Sequence, residues 1–138
     1  MAAEDAASRG YEMVIDDGRV VFRLCHFWPG NAISIRTTAP VPAGKWFHVC
    51  VTYDGSSRAS GLCAYIDGEP AATETERDNL FKTILYGGDG PAVQLAYRGR
   101  DAGFTQGGID EFMIFNSVLP ALSVRALYRD NAVPIDPV

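Results

Sequence analysis

The 138-residue sequence contains only two histidines and three cysteines. No apolar run approaches the roughly 20 residues that a helical membrane span needs. The cysteines, Cys25, Cys50 and Cys63, are odd in number and have no CxxC or CxxH spacing. That argues against a zinc site and against an obligatory disulfide framework. Basic residues are scarce as well: 12 Lys+Arg face 17 Asp+Glu, for a net charge of −5. With no Lys/Arg cluster to release counterions from a phosphate backbone, no nucleic-acid partner is expected. The opening MAAEDAASRG lacks an apolar core, so no secretory signal is expected. Localisation is left between the cytoplasm and an exported parent protein. No internal repeat or low-complexity tract is present. Hydrophobic residues at 47% and charged residues at 21% exclude a disordered or collagen-like chain. One domain over residues 1–138 is expected, with 1–10 as a flexible or edge segment and 132–138 as a tail.

What is abundant is strand signal. Tyr11–Ile15 and Val20–Cys25 are apolar and β-branched around the turn Asp16-Asp17-Gly18. Ile33–Thr37 follows the breaker Pro29-Gly30-Asn31. In Lys45–Tyr53 the alternation puts Phe47, Val49, Val51 and Tyr53 on a core face, and Trp46, His48, Cys50 and Thr52 on the other. Leu62–Ile66 returns, and Asp67-Gly68 turns into Pro70–Glu76, whose Thr/Glu alternation reads as a solvated edge. Ala92–Tyr97 and Ile109–Phe115 are the last two strands expected. One helix is expected, Ala121–Arg129, with Pro120 in its first turn and Leu122, Arg125 and Ala126 or Leu127 at helical spacing. Short antiparallel strands with turns between them read as an all-β sandwich or jelly roll.

Register carries the cysteine argument further. If Tyr53 opposes Leu62, then Cys50 and Cys63 are diagonal neighbours, roughly 7–8 Å apart, beyond the usual disulfide span.

The chemistry of hydrolysis is poorly supplied. Asp110 and Glu111 are adjacent, so a strand would point them to opposite faces. Retaining glycosidases hold two carboxyl groups about 5–5.5 Å apart. Asp67 and Glu69 straddle a tight turn. Glu74 and Glu76 share a face without an aromatic platform nearby. His26 and His48 have no GxSxG elbow beside them.

The segments Gly44-Lys45-Trp46-Phe47-His48-Val49 and Val51-Thr52-Tyr53-Asp54-Gly55 resemble the laminin-G-like, concanavalin A-like jelly-roll superfamily. Ala64-Tyr65-Ile66-Asp67-Gly68 and Gly108-Ile109-Asp110-Glu111-Phe112 continue the same pattern in the same order. The stretch His26–Ile33 is also similar to laminin-G-like segments of large exported bacterial proteins of planctomycete type. The resemblance implies an antiparallel β-sandwich jelly roll with one short C-terminal helix. Relatives carry two or three strands ahead of the Tyr11 equivalent, so the chain is expected to lack the usual N-terminal strands and to form a homodimer.

The resemblance also implies a non-catalytic recognition module for carbohydrate or a glycosylated surface. A protein-interaction or self-assembly domain is the alternative, and a glycoside-active enzyme a third reading. His26, Phe27, Trp28, Asn31, Tyr97, Arg98 and Arg100 are the expected ligand contacts. Calcium is the common ion of the relatives. The Arg98–Asp101 loop carries two arginines where relatives place acidic groups, so no metal is assigned, with Asp101, Gln106 and Asp78 as candidate ligands.

Overall fold

The computed structural model describes residues 9–88, 90, 92–98, 102–103 and 106–130. Three antiparallel sheets organise them. The largest runs in the order β1-β2-β3-β7, from β1 (Gly10–Asp16), β2 (Arg19–Phe27), β3 (Asn31–Thr37) and β7 (Thr73–Asp78). The second is β4 (Val49–Tyr53), β5 (Leu62–Ile66) and β6 (Glu69–Pro70). A small pair, β8 (Tyr97–Arg98) and β9 (Ala102–Gly103), and the helix α1 (Ala121–Asp130) follow. The two main antiparallel sheets and the short C-terminal helix give the expected β-sandwich jelly-roll class.

The β1–β2 and β5–β6 hairpins, each with a two-residue turn, are built by Asp-Gly pairs. Asp17 and Gly18 have φ of 49° and 70°, and Asp67 and Gly68 have 50° and 78°. Two successive positive φ values give the turn whose twist matches that of the paired strands, and Asp and Gly tolerate that region best. The turns fix register: Gly10 lies opposite Cys25 through to Asp16 opposite Arg19, and Ile66 lies opposite Glu69. Across the longer loop 54–61, Val49 lies opposite Ile66 through to Tyr53 opposite Leu62.

Period-two alternation then sorts the larger sheet into two faces. Leu24, Ile33 and Ile35 on the inner face pack with Ala59, Leu62 and Ala64, with Phe22, Val51 and Tyr53 alongside. Each large aliphatic side chain so buried contributes about 1.5–3 kcal/mol relative to exposure. Tyr11, Met13 and Ile15 belong to the same face by register, but on the outer strand β1 they are exposed. The outer face carries Glu12, Arg23, Ser34 and Arg77 in one cross-strand row, and Val14, Val21, Arg36 and Glu74 in the next.

Four expected elements differ. Pro70–Glu76 is not one strand, because the chain changes sheets inside it. Ala71 N–H donates to Ala64 O at 2.9 Å in the second sheet, while Ala72 O accepts from Thr38 N–H at 2.9 Å in the first. Lys45–His48 stays outside β4, and Trp46 is 71% exposed. Ile109–Phe115 pairs with no strand among the described residues, so Ile109, Phe112, Met113 and Ile114 remain exposed. Of Ala92–Tyr97, only Tyr97 enters a ladder. The helix matches to one residue, but its buried positions are Val124 and Leu127. Leu122 points away at 77% exposure, since two positions on a helix are about 200° apart.

Candidate recognition face

The outer face of the larger sheet carries a lattice of alternating charge. Arg23 Nη1 donates to Glu12 Oε1 at 3.0 Å, and its Nη2 lies 3.7 Å from Glu76 Oε2. Arg36 Nε donates to Glu76 Oε1 at 2.8 Å, and its Nη2 to Asp16 Oδ2 at 2.6 Å. Ser34, fully buried, donates its hydroxyl to Glu76 Oε2 at 2.7 Å.

A bulge makes this convergence possible. Ser34 opposes Arg77 while the next residue, Ile35, opposes Thr75, which leaves Glu76 as the extra residue of β7. A bulge sets two neighbouring side chains on the same side of the sheet. Glu76 and Arg77 therefore both serve the outer face, where strict alternation would have sent one of them inward.

Electrostatics follow from the packing. Burial pushes the Glu76 carboxyl up, but the Ser34 hydroxyl and the Arg36 and Arg23 guanidinium groups outweigh it and hold it below the ordinary value of 4.5. The Arg36 guanidinium is held above its ordinary value, first by Glu76 and then by Asp16.

Trp28 stands at the end of this lattice. It lies just past β2, in a turn whose Trp28–Pro29 bond is cis. The Arg23 guanidinium sits 4.3 Å from the centroid of its ring and that of Arg77 5.5 Å. Both guanidinium groups lie over the half-buried indole ring in cation–π contact, so they cover part of its face and bring directional hydrogen-bond donors to what remains open.

The other expected contacts fall in different places. His26 is buried, with Nδ1 at 2.7 Å from Thr83 O and Nε2 at 3.2 Å from Arg9 Nη2. Asn31 is fully buried, and its Oδ1 accepts from the Phe81 and Lys82 N–H groups at 3.1 and 3.3 Å. Both thus hold neighbouring segments in place. Phe27 is half-buried, and its ring lies so near Gly30 that a β-carbon there would approach to 2.6 Å. The Tyr97 and Arg98 backbone pairs with β9, but their side chains lie outside the described residues, as do Arg100 and Asp101 altogether. Gln106 is exposed, and Asp78 Oδ1 accepts from Ala59 N–H at 2.8 Å. Among the described residues, no group of three or more His, Cys, Asp or Glu side chains is placed to hold a metal ion. Nor is any helix there long and apolar enough to cross a membrane.

Sequence reasoning missed Arg23, Arg77 and Glu12, and weighed Glu76 only as a carboxylate sharing a face with Glu74. The alternation of Glu12 in β1 and of Ser34 and Arg36 in β3 signals a polar face, but no residue signals the bulge.

Comparison with curated proteins finds no match. Among solved structures, one similar chain is an S-layer domain-containing protein (residues 221–444) from Clostridium thermocellum, with 19% identity and a TM-score of 0.43. The match covers 88% of this chain and 64% of that one, so the chain spans less than two thirds of the structure's length. Residues 1–125 match the laminin-G-type family model described as the concanavalin A-like lectin/glucanases superfamily, and the chain belongs to that superfamily.

Proposed function

We propose that the chain is a non-catalytic recognition module, one domain over residues 1–138, that binds carbohydrate or a glycosylated surface. The observation that carries this reading is Trp28 set beside Arg23, Arg77, Glu12 and Glu76 on an outer sheet face. The part of the indole that the Arg23 and Arg77 guanidinium groups leave open supplies an apolar surface, and the guanidinium and carboxylate groups supply donors and acceptors for hydroxyls. Phe27, Tyr97, Arg98 and Arg100 remain proposed contacts, while His26 and Asn31 act as positioning residues.

Two features favour binding over hydrolysis. A glycosidase needs one carboxyl group kept protonated as an acid. Glu76 is held in the opposite direction, and Glu12 and Asp16 are each ion-paired to an arginine. Asp110 accepts from the Glu111 N–H at 2.8 Å, so it shapes its own turn.

The test is a glycan-array screen of the folded chain, with calcium and again with chelator, followed by Trp28→Ala. Binding that weakens at least about tenfold in the variant, a loss of roughly 1.4 kcal/mol, supports the reading. No saccharide binding by the folded protein in either condition overturns it. Loss of binding in chelator alone would move the site to a calcium-held rim.

A second reading, self-assembly by strand pairing, is favoured by one observation: the outer strand β1 exposes Tyr11, Met13 and Ile15 in a row. Such an edge invites another strand. This reading expects a homodimer, and a light-scattering mass near 15.0 kDa at micromolar concentration overturns it.

A further inference from the structure

A separate cleft of about 340 Å³ opens between the loop after β4 and the segment that follows β7. Ser57 and Arg58 line one wall, and Asp78, Asn79 and Phe81 the other. Its volume falls within the range of small-ligand sites. Nothing in the charge lattice of the outer sheet face uses these residues.

Both walls are held by anchors from inside the protein. Tyr53 Oη accepts from the Ser57 N–H at 2.7 Å, which steadies a loop whose Ser57 has φ of 59°. Asp78 Oδ1 accepts from the Ala59 N–H at 2.8 Å and so ties the two walls together. The wholly buried Asn31 holds the Phe81 N–H, and Asn79 Nδ2 donates to Gly30 O at 2.8 Å. Rigid walls lower the ordering cost of binding.

Against this frame, two side chains project outward. Phe81 is 69% exposed although its backbone is pinned. Arg58 is exposed and forms no ion pair among the described residues. An open aromatic face suits the C–H face of a sugar ring. A guanidinium without a carboxylate of its own suits a ligand carboxylate, which it can grip through two parallel N–H donors. Asp78 supplies the neighbouring acceptor for a sugar hydroxyl.

We infer that this cleft binds the carboxylate-bearing sugar residue of an acidic saccharide, with Phe81 stacked on the ring and Arg58 paired to the carboxylate. The inference rests on the saccharide recognition proposed above and adds a second site and a ligand class to it. Asn79 donates to Gly30 O in the turn that carries Trp28, so this wall of the cleft is tied to the segment that bears the indole.

The experiment titrates the folded chain, in chelator, with glucuronate-, galacturonate- and sialate-terminated oligosaccharides and with their methyl esters. The esters keep the ring and lose only the charge. At least one acid is expected to bind about tenfold or more tightly than its ester, the factor that a single charge-assisted contact supplies. Arg58→Gln, at an exposed position, should bring the acid down to its ester, and Phe81→Ala should weaken both. Equal binding of acids and esters, unchanged by Arg58→Gln, overturns the cleft assignment while leaving saccharide recognition standing. Binding of neutral glycans alone on the array does the same. Failure of every saccharide overturns both readings.

Discussion

Ser34 and Glu76 meet at 2.7 Å although 42 residues separate them in the chain. The bulge in β7 turns Glu76 towards the outer face, and the buried serine hydroxyl finds its acceptor there. A buried hydroxyl without a partner would cost about 1–3 kcal/mol, so the bulge and the bond support each other.

Acid should loosen the sheet through Glu76. Its carboxyl lies below the ordinary 4.5 in the fold. A carboxyl held low in the folded state contributes stability above its unfolded value, and that contribution is lost as pH falls through the lower, folded value. Urea midpoints measured from neutral pH downward should therefore decline in the acid range. Glu76→Gln should be less stable at neutral pH and show a flatter acid limb. An unchanged acid limb would show that Glu76 carries none of this dependence.

Removing the Asn31 amide should be costly. Its Oδ1 serves the Phe81 and Lys82 N–H groups, and the side chain has no exposure at all. Asn31→Ala strands two backbone donors, for about 2–4 kcal/mol of destabilisation. Urea denaturation measures it. A loss below about 0.5 kcal/mol, the size of an ordinary surface change, would mean that the segment does not depend on this anchor.

The three thiols should react at three rates. Cys63 is exposed, Cys50 half-buried and Cys25 buried, and none forms a disulfide. Burial also pushes the Cys50 thiol up, which lowers its thiolate fraction. A chromogenic disulfide reagent should label Cys63 first, Cys50 slowly and Cys25 only on unfolding. A Cys63→Ser variant should remove the fast phase. Persistence of that phase would assign it to another thiol.

Much of the fold is legible because the strands carry their own punctuation. Asp17-Gly18 and Asp67-Gly68 demand positive φ, and they place two hairpins before any tertiary contact is considered. The β4–β5 register is the one that the assumed Tyr53–Leu62 pairing implies, with Cys50 opposite Tyr65 and Cys63 opposite Thr52, the diagonal arrangement that disfavours a disulfide. Alternation says which face of a strand would be buried, but not whether a neighbour exists to bury it. That is why Trp46, Ile109, Phe112, Met113 and Ile114 read as strand residues and yet stand exposed. The sheet change between Ala71 and Ala72 leaves no local mark either, because two alanines fit both ladders.

The candidate sites are less legible for a related reason. His26 and Asn31 flank a turn rich in aromatic and polar groups, which looks the same in sequence whether those groups face a ligand or the protein's own backbone. Burial separates the two cases. Arg58 lies in an unremarkable polar loop, and the burial of Ala59 and its hydrogen bond to Asp78 bring that loop beside Phe81.

The outer sheet face also has a consequence for encounter rates. Glu12, Asp16, Glu74 and Glu76 interleave with Arg19, Arg23, Arg36 and Arg77, so four negative charges offset four positive ones within a few ångströms. A field of such short-range alternation decays before it reaches a diffusing partner. Ligands arriving there are not steered, and their association rate should be nearly indifferent to ionic strength, with selection made only after contact.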